Sequence, residues 1–139
     1  MDIEQVKKSR KILRDVANDI EAHPKKYDQS SWCGTACCIA GHIVLNQGAK
    51  RIKGFGAHVL FENRERTVKH LAVELLGFNS GWESPIILNL FSMMPHENWH
   101  EKWGKKFDYA KTNKERAQIA ADYIRKYVIP NVFPLKKKK

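Results

Sequence analysis

From Gln29 to Ala49 the chain carries no Asp, Glu, Lys or Arg, although charged residues make up 29% of the whole. A stretch that silent has nothing with which to face water, so the rest of the fold must enclose it. Within it Ala36, Cys37, Ile39, Ala40, Ile43, Val44 and Leu45 cover nearly the full circumference of a helix predicted over residues 34–46 and stopped by Gly48. Ala36, Ala40 and Gly41 are small enough for neighbouring helices to approach the backbone closely. The apolar run falls short of the roughly 18 to 20 residues needed to span a bilayer, which excludes a membrane helix and leaves the centre of a bundle.

Amphipathic segments flank this centre. Asp2, with Gln5 three residues on, forms a capping box ahead of a helix whose inner stripe is Ile3, Val6, Leu13, Val16 and Ile20, ending near His23-Pro24. Val68, Leu71, Ala72, Leu75 and Leu76 follow helical spacing, and Gly77 stands where a left-handed cap is wanted. Ser84-Pro85 opens a helix over residues 86–91. Pro95 opens another over 96–107. Thr112 and Glu115 form the clearest capping box, leading a last helix with Ala117, Ala120, Ala121, Ile124 and Val128 inside and Pro130 and Pro134 ending it. Only residues 52–61 have a composition suited to extended structure. With 139 residues, 42% of them hydrophobic, the chain can build one core. The expected fold is an all-α, compact single-domain bundle of about five helices around the apolar helix 34–46, with a basic irregular or short β insertion at about 48–64. Residues 1–135 form the domain and 136–139 a basic tail. The charged start MDIEQVKKSRK offers no secretory apolar run, so a reducing cytoplasm is expected.

The net charge of +10 is unevenly placed. Residues 50–70 hold six cations against two anions, and residues 96–139 hold twelve against five. Lys50, Arg51 and Lys53, then Arg64 and Arg66, with Phe55 between them, make a basic segment able to grip phosphates and stack on a base. Its KGFG run is similar to the start of the RNP1 strand of RNA-recognition motifs, but Ala57-His58 then replaces the expected aromatic and aliphatic pair. Nucleic acid, a nucleotide or another anionic macromolecule is the expected partner. A protein partner is also consistent with the sequence; a membrane is not.

Two clusters could carry chemistry. Cys33, Cys37, Cys38 and His42 lie four apart in two pairs, each pair on one helical face. A cysteine at the helix start would have its thiolate stabilised by unsatisfied amides, as in papain-like proteases, although CGTA here replaces their CGS and no aromatic residue follows the second cysteine. Cys38 and His42 could instead contribute two ligands to zinc, short of the four a tetrahedral site needs. The bland alternative is that cysteine is a small buried hydrophobe. His96-Glu97-Asn98-Trp99-His100 matches H-E-x-x-H, in which two histidines one helical turn apart bind zinc and the Glu acts as base. No third ligand is indicated by spacing. No cofactor is expected.

Between His23 and Gly41, His23-Pro24, Asp28-Gln29, Trp32-Cys33-Gly34-Thr35 and Cys38-Ile39-Ala40-Gly41 together resemble the signature of a group of small bacterial and phage proteins. In that group an N-terminal helix leads through an HP and DQ turn into a W-C-G-T, C-x-A-G helix. The likeness extends more loosely through AVELLGF, NLF and ERAQIAADYIRKYV. Members often carry Pro where His100 stands, which makes the H-E-x-x-H match look accidental. The resemblance implies no activity and no catalytic residue; Gln29, Trp32 and Cys33 are candidate binding residues if they line an open pocket. The expected function is a small binding module for an anionic partner. The alternatives are a thiol- or zinc-dependent hydrolase built on the cysteine cluster, and a phage or host-defence protein that blocks another macromolecule.

Overall fold

The computed structural model describes residues 1–29, 38–53, 55–78 and 84–135, with the side chain of Phe55 left out. It is mostly helical, with one small three-stranded antiparallel sheet.

Helix α1 runs Ile3–Ala22, and the Asp2 carboxylate accepts the Gln5 amide at 2.8 Å, as its capping box predicts. Ile12, Leu13, Val16, Ala17 and Ile20 form its buried face, while Ile3 stays 47% exposed. A single 3-10 turn, Pro24–Lys26, follows. The Asn113 side-chain amide grips it by donating to the carbonyls of Pro24 and Tyr27 at 3.0 and 3.1 Å.

Helix α2 spans Ile39–Asn46 and packs against α1 and α3, with every residue from Ile39 to Val44 buried. The enclosed apolar helix is therefore present, but it begins later than the 34–46 prediction. Cys38 has an extended backbone (φ −70°, ψ −179°) and stands as the residue before the first turn; residues 34–37 lie outside the described part. Gly48, at φ +100°, reverses the chain.

The insertion is a sheet of order β1-β2-β3, with β1 Lys50–Ile52, β2 Phe55–Phe61 and β3 Arg64–Thr67. Extended structure thus continues past the predicted residues 52–61 on both sides. Glu62 and Asn63 both have positive φ, the backbone of a two-residue hairpin turn, and Glu62 is not a residue that advertises it. Helix α3, Val68–Leu75, follows directly and closes on Gly77 at φ +95°.

Helix α4, Pro85–Leu90, starts from Ser84, whose hydroxyl accepts the Ile87 amide. The helix predicted over 96–107 is two: α5 Pro95–Asn98 and α6 Glu101–Tyr109, because Trp99 is extended (φ −80°, ψ 164°). Gly104 of α6 faces the α5 backbone, and a Cβ there would lie 2.7 Å from the Pro95 carbonyl oxygen. Helix α7, Asn113–Tyr123, runs through a wider π turn, Ile124–Val128, into α8 Ile129–Val132. Pro130 therefore does not end the helical path. It falls in the first turn of α8, where a missing amide hydrogen costs little. Among the described residues the helical segments outnumber the expected five, in part because of this division and the break at Trp99. The core joins α1, α2, α3, α4, α7 and the π turn through Leu13, Ile20, Ile43, Leu71, Ile87, Ala120 and Ile124. No helix among the described residues is long and apolar enough to cross a membrane.

Candidate functional site

The turn ahead of α2 is held by a buried polar clamp. Gln29 is 4% exposed. Its amide nitrogen donates to the carbonyls of Leu90 and Ser92 at 2.9 and 2.7 Å, and its oxygen accepts the Tyr27 hydroxyl at 2.8 Å. Every hydrogen-bonding direction that matters is thus spent inside the chain. Gln29, expected as a binding residue, is placed as a tie between the 24–29 turn and the end of α4. Burial pushes the Tyr27 hydroxyl well above its ordinary pKa, with Cys38 and Asp28 adding to the effect, so the proton stays on the oxygen and is donated to Gln29.

Of the thiol cluster, Cys33 and Cys37, together with Trp32, lie outside the described residues. Cys38 is buried at 2% exposure. The His42 ring turns its Nδ1 to the Cys38 carbonyl at 3.0 Å, which makes that nitrogen a donor, and its Nε2 lies 4.0 Å from the Asp19 carboxylate. The imidazole thus meets the backbone of Cys38 through Nδ1 and turns its Nε2 toward Asp19. Among the described residues no group of three or more His, Cys, Asp or Glu could hold a metal ion.

His96 and His100 are separated by the extended Trp99, so they do not stand one turn apart on a helix. His100 begins α6 instead, its Nδ1 accepting the Lys102 amide at 3.2 Å. The zinc reading of H-E-x-x-H requires the shared face that this break removes.

In the basic ribbon, antiparallel register pairs Arg51 with Val59 and Val59 with Arg66, while Lys50 lies opposite Leu60 and Leu60 opposite Glu65. Directly opposed residues share a face of the sheet. Val59 is fully buried, so Arg51 and Arg66 flank the inner face; Lys50, His58, Leu60 and Glu65 share the outer one. Arg66 is ion-paired to Glu74 of α3, and His58 Nδ1 lies 3.2 Å from Glu65. Lys50, Arg51, Lys53 and Arg64 are exposed. The strand cations therefore divide between two faces, Lys50 on the outer and Arg51 and Arg66 on the inner, instead of forming one patch, and Arg66 ties the sheet to the bundle.

A second feature is an aromatic cluster for which no motif in the sequence stands. Trp99 and Tyr123 stack with centroids 4.6 Å apart and planes 16° apart, and Tyr123 and Tyr127 stack at 5.4 Å and 9°. Trp103 leans on both tyrosines, and His100 lies 4.8 Å from Tyr127. The signal was partial: 123 and 127 are four apart along one helical path, whereas Trp99 lies in the break before α6 and shares only the spacing with Trp103. What spacing could not show is that Trp99 meets Tyr123. The Tyr123 hydroxyl accepts the His100 amide at 3.2 Å, and the Trp103 indole donates to Asp122 at 2.9 Å.

Burial pushes the Asp122 carboxyl up, but the hydrogen bonds from Trp103 and Lys126 outweigh it and leave the pKa below its ordinary value. A lowered folded-state value contributes stability above the unfolded value of about 3.9 and loses it as pH falls through the folded value. Asp122→Asn keeps an acceptor for Trp103 without the charge. The stability gap between the two proteins, followed by urea unfolding, should be open at neutral pH and close as the pH drops below about 4. A gap unchanged by pH would mean that the charge contributes nothing.

An apolar groove of about 690 Å³ lies between the start of α1, the start of α4 and the C-terminal segment, lined by Ile3, Val6, Phe78, Ile86, Val132 and Leu135 among others. A smaller cleft of about 430 Å³ beside Trp103 carries both signs of charge, including Glu21, Lys106, Asp122 and Arg125.

No family model, curated protein or solved structure matches the chain.

Proposed function

We propose that this protein is a small helical binding module for an anionic macromolecule, with nucleic acid the foremost candidate, engaged through the basic ribbon and the C-terminal region. The observation that supports this most directly is the run Lys50, Arg51 and Lys53, all exposed on the edge strand β1 and the turn after it. A β ribbon is narrow enough to enter the major groove of duplex DNA or to follow a single strand along its phosphates. Cations on an edge strand also have a plainer use, since they discourage pairing with another chain. The two uses differ in what salt does to binding.

Labelled single- and double-stranded oligonucleotides titrated by anisotropy at about 50 and 200 mM salt separate them, because each phosphate contact contributes about −0.7 to −0.9 to the slope of log K against log salt. Replacing Lys50, Arg51 and Lys53 together by Gln should weaken binding and reduce that slope by about 2 to 3. Absence of binding, or binding indifferent to salt, defeats the proposal. If only removal of Lys136–Lys139 weakens binding, the ribbon is not the interface.

A further inference from the structure

The aromatic ladder runs from the core to the surface. Trp99 and Tyr123 are buried, Tyr127 is half-buried, and His100 is exposed. Its parallel stack stops at Tyr127: among the described residues the next rings, His100 and Trp103, meet Tyr127 at 53° and 46°. Tyr127 sits inside the π turn, a helical irregularity that recurs at functional sites.

Packing alone accounts for the inner rungs. It does not account for the polar groups set around the outer end. Because His100 Nδ1 accepts the Lys102 amide, the neutral ring carries its proton on Nε2, as a donor. The Lys102 ammonium lies 5.1 Å from the centre of the Trp103 ring. Lys126, next to Tyr127 in sequence, is 69% exposed and is positioned by Asp122 at 3.0 Å. The outer end of the ladder is thus an aromatic surface with an N–H donor, and Lys102 lies over its Trp103 ring. Aromatic rings among cations are how proteins hold unpaired nucleotides, the bases stacking while the cations follow the phosphates.

We propose that Tyr127, with His100 beside it, is a stacking seat for an unpaired nucleobase, with the Lys102 ammonium over the neighbouring Trp103 ring, so that the nucleic acid bound is single-stranded. This rests on the nucleic-acid reading above and adds to it a place and a strand type.

The test compares two labelled strands on the unaltered full chain: an oligothymidylate of about 15 nucleotides and a strand of equal length and charge made of abasic sites. Stacking predicts that the base-bearing strand binds about tenfold more tightly or better, and that it alone quenches tryptophan emission. Tyr127→Leu, which keeps apolar bulk and removes the ring, should abolish the difference, and Tyr127→Phe should retain it. Equal affinity for the two strands overturns the seat and leaves the electrostatic reading standing. Preference for a duplex of the same sequence over the single strand also overturns it. Binding of neither strand at any salt concentration defeats the electrostatic reading, and the seat with it. Should Tyr127→Leu fail to fold, the comparison of the two strands on the unaltered protein still decides.

Discussion

Gln29→Leu should destabilise the protein by about 3 kcal/mol, a large share of the 5 to 15 kcal/mol that holds a domain of this size together. Leucine fills most of the space but makes none of the three hydrogen bonds. The carbonyls of Leu90 and Ser92 and the hydroxyl of Tyr27 are then left without the partner they have in the fold. Each such group costs about 1 to 3 kcal/mol when buried, with Ser92 at the low end because its carbonyl is only partly covered. Gln29→Glu should cost more at neutral pH. A carboxylate can accept the Tyr27 hydroxyl, but it sets negative charge against two carbonyl oxygens. Its folded-state pKa is thereby raised, so its contribution is best preserved below the unfolded value of about 4.3 and declines as pH rises through the folded one. The deficit relative to wild type should therefore widen from acid to neutral pH. Urea unfolding at two pH values measures both effects. A Gln29→Leu protein as stable as wild type would show that the clamp contributes geometry and no net energy.

Gly104→Val should cost about 2 to 3 kcal/mol, and even Gly104→Ala should lose stability where a helical Gly→Ala change ordinarily gains about 1 kcal/mol. The sign of the alanine result is the decisive quantity. A Cβ at this position meets the Pro95 carbonyl oxygen at 2.7 Å and the His96 Cα at 3.3 Å. Both are backbone atoms, so α5 as a whole must shift, and the extended Trp99 that follows it carries the base of the aromatic ladder. The Trp99–Tyr123 stack should loosen, which tryptophan emission will register beside the unfolding midpoint. Gly48→Ala is the contrasting case: nothing lies within 4 Å of its added Cβ, so only its φ of +100° opposes the change, at about 1 to 2 kcal/mol. Stabilisation by Gly104→Ala would mean that α5 does not rest on α6 as described.

These two positions show unequal legibility in the sequence. Gly77 could be placed as a left-handed cap because the apolar spacing of Val68 to Leu76 ends just before it, and its φ is +95°. Gly104 gave no such sign. Its importance comes from a chain crossing that no local pattern records. Gln29 is expected from the sequence to serve as a binding residue if it lines an open pocket. Its hydrogen bonds reach 61 and 63 residues along the chain, to carbonyls whose side chains carry no hint of the contact. The basic ribbon was legible as charge, but its division between two faces follows from register, and register depends on a hairpin turn at Glu62-Asn63 that the residue types barely announce.

By itself the sequence determined where the capped helices begin and most of the faces that they turn inward. The cap at Asp2, the hydroxyls of Ser84 and Thr112, and the charge-silent helix ending at Asn46 are all present, because capping and periodicity act within about four residues. Tertiary structure alone decided that the H-E-x-x-H stretch breaks at Trp99, that the helical path runs on past Pro130 behind a π turn, and that Trp99 meets the tyrosines of the last helical path in a stack from the core to Tyr127. Each of those outcomes is settled by which surfaces press together, and that is a property of the packed chain, not of any window within it.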